Sequence, residues 1–371
     1  MKAKQSSDTC VAGWKHMGLT GFLSLLLVFQ VLCAATRADQ NPLGIQGIYV
    51  LSGPSIESTR NANKPFVDGF AWRLKWKDLD QGILAPRYDF SLVDTAIAAL
   101  QAMNKKLTMA LFVQEVPRYV LQSAKDTFQT IVPGIGDTTY SVLAPVPWDE
   151  PAIHHYRNLA RALAGHPVYD AISRTRVPLR DHPALAGLRV CVIGTHGLSD
   201  RDHTIVNLPS YTREKFVNGL LENLHAVQDE FPSTPTWFEY KSIRDHTRKP
   251  SLDSVVLDVI ASEFDGVRNP RMGLFIEYLR GDAPKPETVV GMNLLTHRAN
   301  GGSTLFQACG PWCTHGLCDF KQGDDSPENG LELGYNTYGS VYYEMYNADL
   351  EYEPFRPVFE EWHRFLHRLP K

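Results

Sequence analysis

The sequence predicts an α/β fold, a (β/α)8 barrel filling residues 39–371, on three observations. Apolar alternation with a period of two recurs eight times, helical runs separate most of these segments, and no linker divides the chain. The clearest unit spans residues 69–94. Phe70, Trp72, Leu74 and Trp76 alternate there with Ala71, Arg73, Lys75 and Lys77, as in a strand. Leu92, Val93, Ala96, Ile97, Ala99 and Leu100 follow at helical spacing, behind a Ser91 and an Asp94 placed as in a capping box. Residues 106–113 are the next strand. Strand, helix and strand within about 45 residues make a βαβ crossover, which requires a parallel sheet.

The remaining elements follow in order. A first strand at 47–52 ends at Gly53-Pro54, and a second occupies 69–76. The third, 107–114, runs into V-P-R-Y-V and then a long insertion carrying Pro133, Gly134, Gly136 and Pro145. Such excursions beyond a strand's C-terminal end are where barrels build their clefts. Helical periodicity resumes at 152–163, and the fourth strand is placed at 188–193, before Gly194-Thr195-His196-Gly197. An amphipathic helix at 211–230 precedes a fifth strand at 236–241 and a helix at 252–264. The sixth strand (273–279), a helix (287–298), the seventh strand (303–308), a short helix (328–335), the eighth strand (340–346) and a closing helix (354–369) complete the count.

The 371 residues, 43% of them hydrophobic, suffice for a large core, and a net charge of −4 with mixed signs excludes the basic stripe of a nucleic-acid binder. The chain has no glycine-rich phosphate loop, no G-x-S-x-G elbow and no H-E-x-x-H motif. Lys2, Lys4, Lys15 and His16 precede an apolar run at 18–35, and Thr36-Arg37-Ala38 has small residues where a signal peptidase requires them. Residues 1–38 therefore read as a signal peptide, with an uncleaved membrane anchor as the alternative, and the mature protein as secreted or periplasmic. Cys10 and Cys33 go with the leader. The cluster Cys309, Cys313 and Cys318 is expected to hold a disulfide in an oxidising compartment, with a zinc site including His315 as the other reading. Cys191, in an apolar strand, is expected to be a buried thiol.

The order of these features resembles the catalytic barrel of the large retaining glycoside hydrolase clan, nearest to its β-galactosidase-like branch. There the second strand and its loop read roughly W-x-x-L-E-P-x-x-G-x-Y-D-F-S-x-L-D. Trp76, Leu79, Gly82, Tyr88, Asp89, Phe90, Ser91 and Asp94 match, with Asp80 near the usual glutamate. The following K-K-L-T-M-A-L-F-V-Q-E-V-P-R-Y-V is similar to the third strand of that clan. The resemblance implies a TIM barrel acting on carbohydrate with two carboxyl groups and no organic cofactor. It places an acid after the fourth strand and a nucleophile at the end of the seventh. This chain has G-T-H-G-L-S-D-R-D-H and T-L-F-Q-A-C-G at those places, and neither holds a glutamate.

Other acids are therefore the catalytic candidates. Glu277 ranks first, then Glu239, both near C-terminal strand ends, then Asp202 in the loop after the fourth strand; Glu344 lies in the eighth. A pair on different strands suits the wider inverting geometry of roughly 6.5 to 9.5 Å. Glu239 and Glu277 also suit a structural pairing with Arg73 or Lys241. Trp72, Trp76, Tyr278 and Trp312 are candidates for stacking on a sugar, although each singly also suits a core position, and Arg73, Gln114 and His196 for bonding its hydroxyls. Two other readings stand beside the hydrolase: a non-catalytic sugar-binding barrel, and a metal-dependent hydrolase using His196, Asp202, His203 and His315.

Overall fold

The computed structural model describes residues 42–52, 61–133, 139–195, 205–240, 245, 252–264, 272–314 and 325–369. The leader, His196, Asp202, His203, His315 and Cys318 lie outside the described residues, and Asn41–Lys371 forms one compact unit.

In chain order the strands are β1 (Gly47–Ser52), β2 (Gly69–Lys75), β3 (Lys106–Phe112), β4 (Thr127–Pro133), β5 (Thr139–Pro145), β6 (Pro167–Asp170), β7 (Thr175–Pro178), β8 (Leu185–Val190), β9 (Thr236–Glu239), β10 (Met272–Leu279), β11 (Thr304–Ala308) and β12 (Tyr342–Tyr346). Eight of them, β1, β2, β3 and β8 to β12, close into a parallel barrel, with β1 paired to both β2 and β12. This is the (β/α)8 architecture that the element count predicts. A single helical turn, Trp76–Leu79, follows β2, and the longer α-helices among the described residues are α1 (Ser91–Ala102), α2 (Arg118–Ser123), α3 (Glu150–Gly165), α4 (Arg213–Gln228), α5 (Leu252–Glu263), α6 (Val289–Ala299), α7 (Pro327–Glu332), α8 (Asn347–Glu351) and α9 (Arg356–Leu366).

Side-chain caps begin three of the longer helices. Asp149 Oδ1 accepts from Ala152 N–H at 3.0 Å at the start of α3, and Thr212 and Thr288 do the same for α4 and α6. The expected Ser91–Asp94 box is not formed. Phe90 is the N-cap of α1, and Asp89 Oδ1 instead accepts from Ser91 N–H.

The insertion after β3 is more ordered than its prolines and glycines suggest, since β4 and β5 pair as one antiparallel hairpin and β6 and β7 as another. The fourth barrel strand ends three residues earlier than its apolar run, at Val190. Cys191, Val192 and Ile193 stay buried but leave the sheet, and Asn223 Oδ1 accepts the Ile193 N–H at 3.1 Å in place of a ladder partner. Burial pushes the Cys191 thiol up to about 12, so it is inert, as expected of a core cysteine.

Two apolar layers hold the barrel. The larger lies between strands and helices and includes Phe70, Trp72, Leu74, Trp76 and Tyr156. The smaller fills the barrel interior with Tyr49, Leu51, Ala71, Trp237, Phe275, Leu305 and Tyr342. Glycines make room for it. A Cβ on Gly69 would meet the Tyr49 ring, one on Gly187 the Trp237 ring, and one on Gly273 the Leu305 side chain.

Candidate active site

Two residues beyond that apolar floor, toward the C-terminal strand ends, the inward positions become polar. Ala71 is succeeded by Arg73, Gly187 by Arg189, Trp237 by Glu239, Phe275 by Glu277, Leu305 by Gln307 and Tyr342 by Glu344. Because side chains two apart share a strand face, six strands contribute to one polar layer. That end is also where barrels of this class carry their chemistry.

Arg189 is its hub. The guanidinium is fully buried between the rings of Phe112 and Phe275, 5.0 and 4.7 Å from their centroids. Its Nη1 lies 2.8 Å from Glu277 Oε1 and 4.0 Å from Glu239 Oε2. Those two oxygens are thus no more than about 7 Å from each other. Burial alone would lower the affinity of Arg189 for its proton, but Glu277, Glu239 and Glu344 outweigh it and raise the pKa further. Arg73 Nη2 donates to Glu277 Oε1 at 3.0 Å and also to Gln307 Oε1, so one carboxylate oxygen receives two guanidiniums. Glu344 differs. Burial raises its carboxyl above the ordinary range, against the opposing pull of Arg189, Arg73 and the Tyr342 hydroxyl, which donates to Oε1 at 2.9 Å.

A second cluster joins the end of β2 and the turn after it, the segment beyond β3 and the first hairpin. Lys75 and Lys77 both donate to Glu115, and the Tyr140 hydroxyl of β5 donates to Glu115 Oε1 at 2.6 Å. These partners outweigh burial and hold the Glu115 carboxyl below its usual range.

Of the residues singled out from the sequence, Glu277, Glu239 and Arg73 are brought together. Exposure separates them, because the side chain of Glu277 is 10% exposed and that of Arg73 29%, whereas Glu239 is at 0%. The tryptophans need correction. Trp72 and Trp76 face the helices, each 1% exposed, and Trp76 packs on Tyr156, so neither presents a ring to a ligand. Tyr278 follows Glu277 and hence points outward, against the shell between sheet and helices. Trp312 is buried in the same shell with Nε1 donating to Asp325 Oδ1 at 2.7 Å. Gln114 is buried, and its amide donates to the Ile131 carbonyl of β4. Asp80, near the expected glutamate, braces the loop by accepting from Gly82 N–H, Arg87 N–H and the Tyr119 hydroxyl. The sequence leaves open which members of the cysteine cluster pair; Cys313 is a free thiol, whereas Cys309 is disulfide-bonded. The sequence reading missed Arg189, Gln307 and Glu115. A lone arginine within L-R-V-C-V was the available signal for the first, since such a cation in a barrel strand requires interior anions.

No protein-family model and no curated protein matches the chain. Solved structures do. The β-galactosidase from Bacillus circulans sp. alkalophilus superposes with a TM-score of 0.53 at 12% identity, covering 89% of this chain and 57% of that one. The likeness is one of fold. A β-galactosidase from Rahnella sp. R3 gives a TM-score of 0.49 at 11% identity over 88% of this chain and 57% of its own. The chain thus spans little more than half the length of either enzyme.

Proposed function

We propose that this protein is an exported carbohydrate-active barrel of the glycoside hydrolase kind, with Glu277 as its reacting carboxylate. One observation carries the reading. Among the described interior glutamates Glu277 is the least buried, and two guanidiniums lie against one of its oxygens, the surroundings that suit a charged carboxylate acting as a nucleophile or as a base that activates water. Glu344, held above the ordinary carboxyl range, is the described acid suited to keep a proton for the leaving group. Gln307 and Tyr346, 3.3 Å apart, supply neutral hydrogen-bonding groups for sugar hydroxyls. The superposition on a β-galactosidase supports this at the level of fold, and the leader and the Cys309 disulfide support export.

The test compares Glu277→Gln and Glu344→Gln on aryl glycosides with good and poor leaving groups. Glu277→Gln is expected to lose about a thousandfold in kcat on both, and Glu344→Gln only on the poor leaving group, which needs protonation. Unchanged turnover in Glu277→Gln overturns the assignment. A non-catalytic binding barrel is the second reading, favoured by Gln307 at the end of the seventh barrel strand, where the resemblance places a nucleophile. No turnover on any glycoside, with oligosaccharide binding that Arg73→Ala abolishes, would establish it.

A further inference from the structure

The opposite end of the barrel holds a cluster that the proposed reaction does not use. Asp68 immediately precedes β2, and His363 on α9 and His367, its C-cap, stand four residues apart on one side of the helix end. His363 Nδ1 lies 3.2 Å from Asp68 Oδ2 and His367 Nε2 lies 2.6 Å from Oδ1. One ligand atom from each of the three residues falls within 4.8 Å of the others. We propose that Asp68, His363 and His367 form a binding site for a divalent transition-metal ion of the zinc class.

The donor set argues for that class. Two imidazole nitrogens and one carboxylate oxygen suit Zn²⁺ and its borderline neighbours, whereas Mg²⁺ and Ca²⁺ call for oxygen ligands. Two histidines at i and i+4 are a known way for one helix to offer two ligands to one ion. The spacing fits as well. Ligands bound at about 2.0–2.2 Å around a tetrahedral ion sit roughly 3.3 Å from one another, so the observed separations need only small side-chain adjustments. Asp68 is already oriented, because the Ile48 N–H donates to Oδ2 at 2.9 Å, the outer-shell support that ligating carboxylates need. Its carboxyl is kept below the usual range, although burial acts the other way, by bonds from His363, Ile48 and His367. His363 and His367 belong to the last turn and C-cap of α9, where the helix dipole favours a cation. The His367 side chain is 41% exposed, which leaves an entry path and room for a water ligand. Lys105 is the opposing charge; it is engaged by the carbonyls of Lys64 and Val67, which limits its repulsion of the ion.

Such an ion would pin the C-terminal helix to the N-terminal face of the barrel, a face associated with stability rather than turnover. The site does not depend on the carbohydrate reading. Mature protein stripped with EDTA is titrated with ZnCl2 by calorimetry and followed by thermal unfolding. We expect one equivalent of Zn²⁺ bound at micromolar Kd or tighter, a rise in Tm of about 5 °C with excess metal, and no rise with MgCl2. The His363→Gln/His367→Gln variant should bind one equivalent fewer and lose the shift. Cobalt gives a second readout, since Co²⁺ at the site should show visible absorption that the variant lacks. If the variant folds and binds Zn²⁺ with unchanged stoichiometry and affinity, or if the wild type binds none, the proposal is overturned.

Discussion

A single side chain decides whether the barrel's upper interior holds together. Arg189 lies between two aromatic rings and faces Glu277 and Glu239, so removing its charge strands at least one carboxylate in a dry interior. Arg189→Met, which keeps the volume and loses the charge, should destabilise the protein by about 3–5 kcal/mol in denaturant unfolding. Adding Glu239→Gln should restore part of that loss, because Glu277 retains Arg73 and the pair least able to reach water is neutralised together. Independent, additive costs in the double-mutant cycle would refute the hub. The same layer shows what was legible at this scale. Strand period two was correct for residues 70–75, yet Trp72 and Arg73, on opposite faces, were both offered as ligand-facing, and only Arg73 is on the interior face. Both faces of a parallel barrel strand are buried, so apolar character does not say which face is the interior. Glu277 was found because its glutamate stands near a strand's C-terminal end. Arg189 was missed because the surrounding L-R-V-C-V reads as core.

At the level of elements, strand pairing depends on small residues that no periodicity analysis weighs. Gly187 of β8 leaves space for Trp237 of β9, and a Cβ there would sit 2.3 Å from ring atom Cζ3 and 3.1 Å from the Pro235 carbonyl. Neither neighbour is a flexible chain end. Gly187→Ala should therefore cost about 1–3 kcal/mol through overpacking. Gly165, the last residue of α3, has nothing within 4 Å of its would-be Cβ, and Gly165→Ala should stabilise by about 0.5–1 kcal/mol. Paired urea titrations check both signs, and a neutral Gly187→Ala would mean that Trp237 can move. The β/α alternation was readable because each strand and helix announces its own period. The β4–β5 and β6–β7 hairpins were not, because they are stabilised by strand pairing and by side-chain contacts to other elements, Tyr140 of β5 to Lys75 and Glu115 and Asp170 of β6 to Gln101 of α1. Tyr140 shows this: its hydroxyl contributes to the Lys75–Glu115 cluster of the mouth, a contact set by tertiary placement alone.

For the molecule as a whole, stability sums contributions from groups far apart, and two of them respond to pH in opposite directions. His297 is buried on α6, and burial pushes its pKa down to about 4 from an ordinary 6.5. Between those values the unfolded chain takes up a proton that the folded chain refuses, so stability falls as pH drops from 6.5 to 4, by on the order of 3 kcal/mol. Asp349, buried on α8, has its carboxyl raised to about 6 by burial, against bonds from the Cys313 and Trp312 backbone. Here the folded chain takes up the proton first. Its contribution is complete below about 4 and is lost as pH rises through 6, a change of similar size and opposite sign. The two nearly cancel in the intact protein across that window, so a flat acid limb there would not mean that these groups are inert. Separating them requires one variant each, with unfolding free energies measured at pH 4, 5, 6 and 7. Relative to His297→Gln, the wild type should lose stability toward pH 4, and relative to Asp349→Asn it should gain. Parallel curves for the wild type and His297→Gln would show that the imidazole is reached by water, and that the packing of Gly302 against it is looser than the 2.1 Å approach of a would-be Cβ implies.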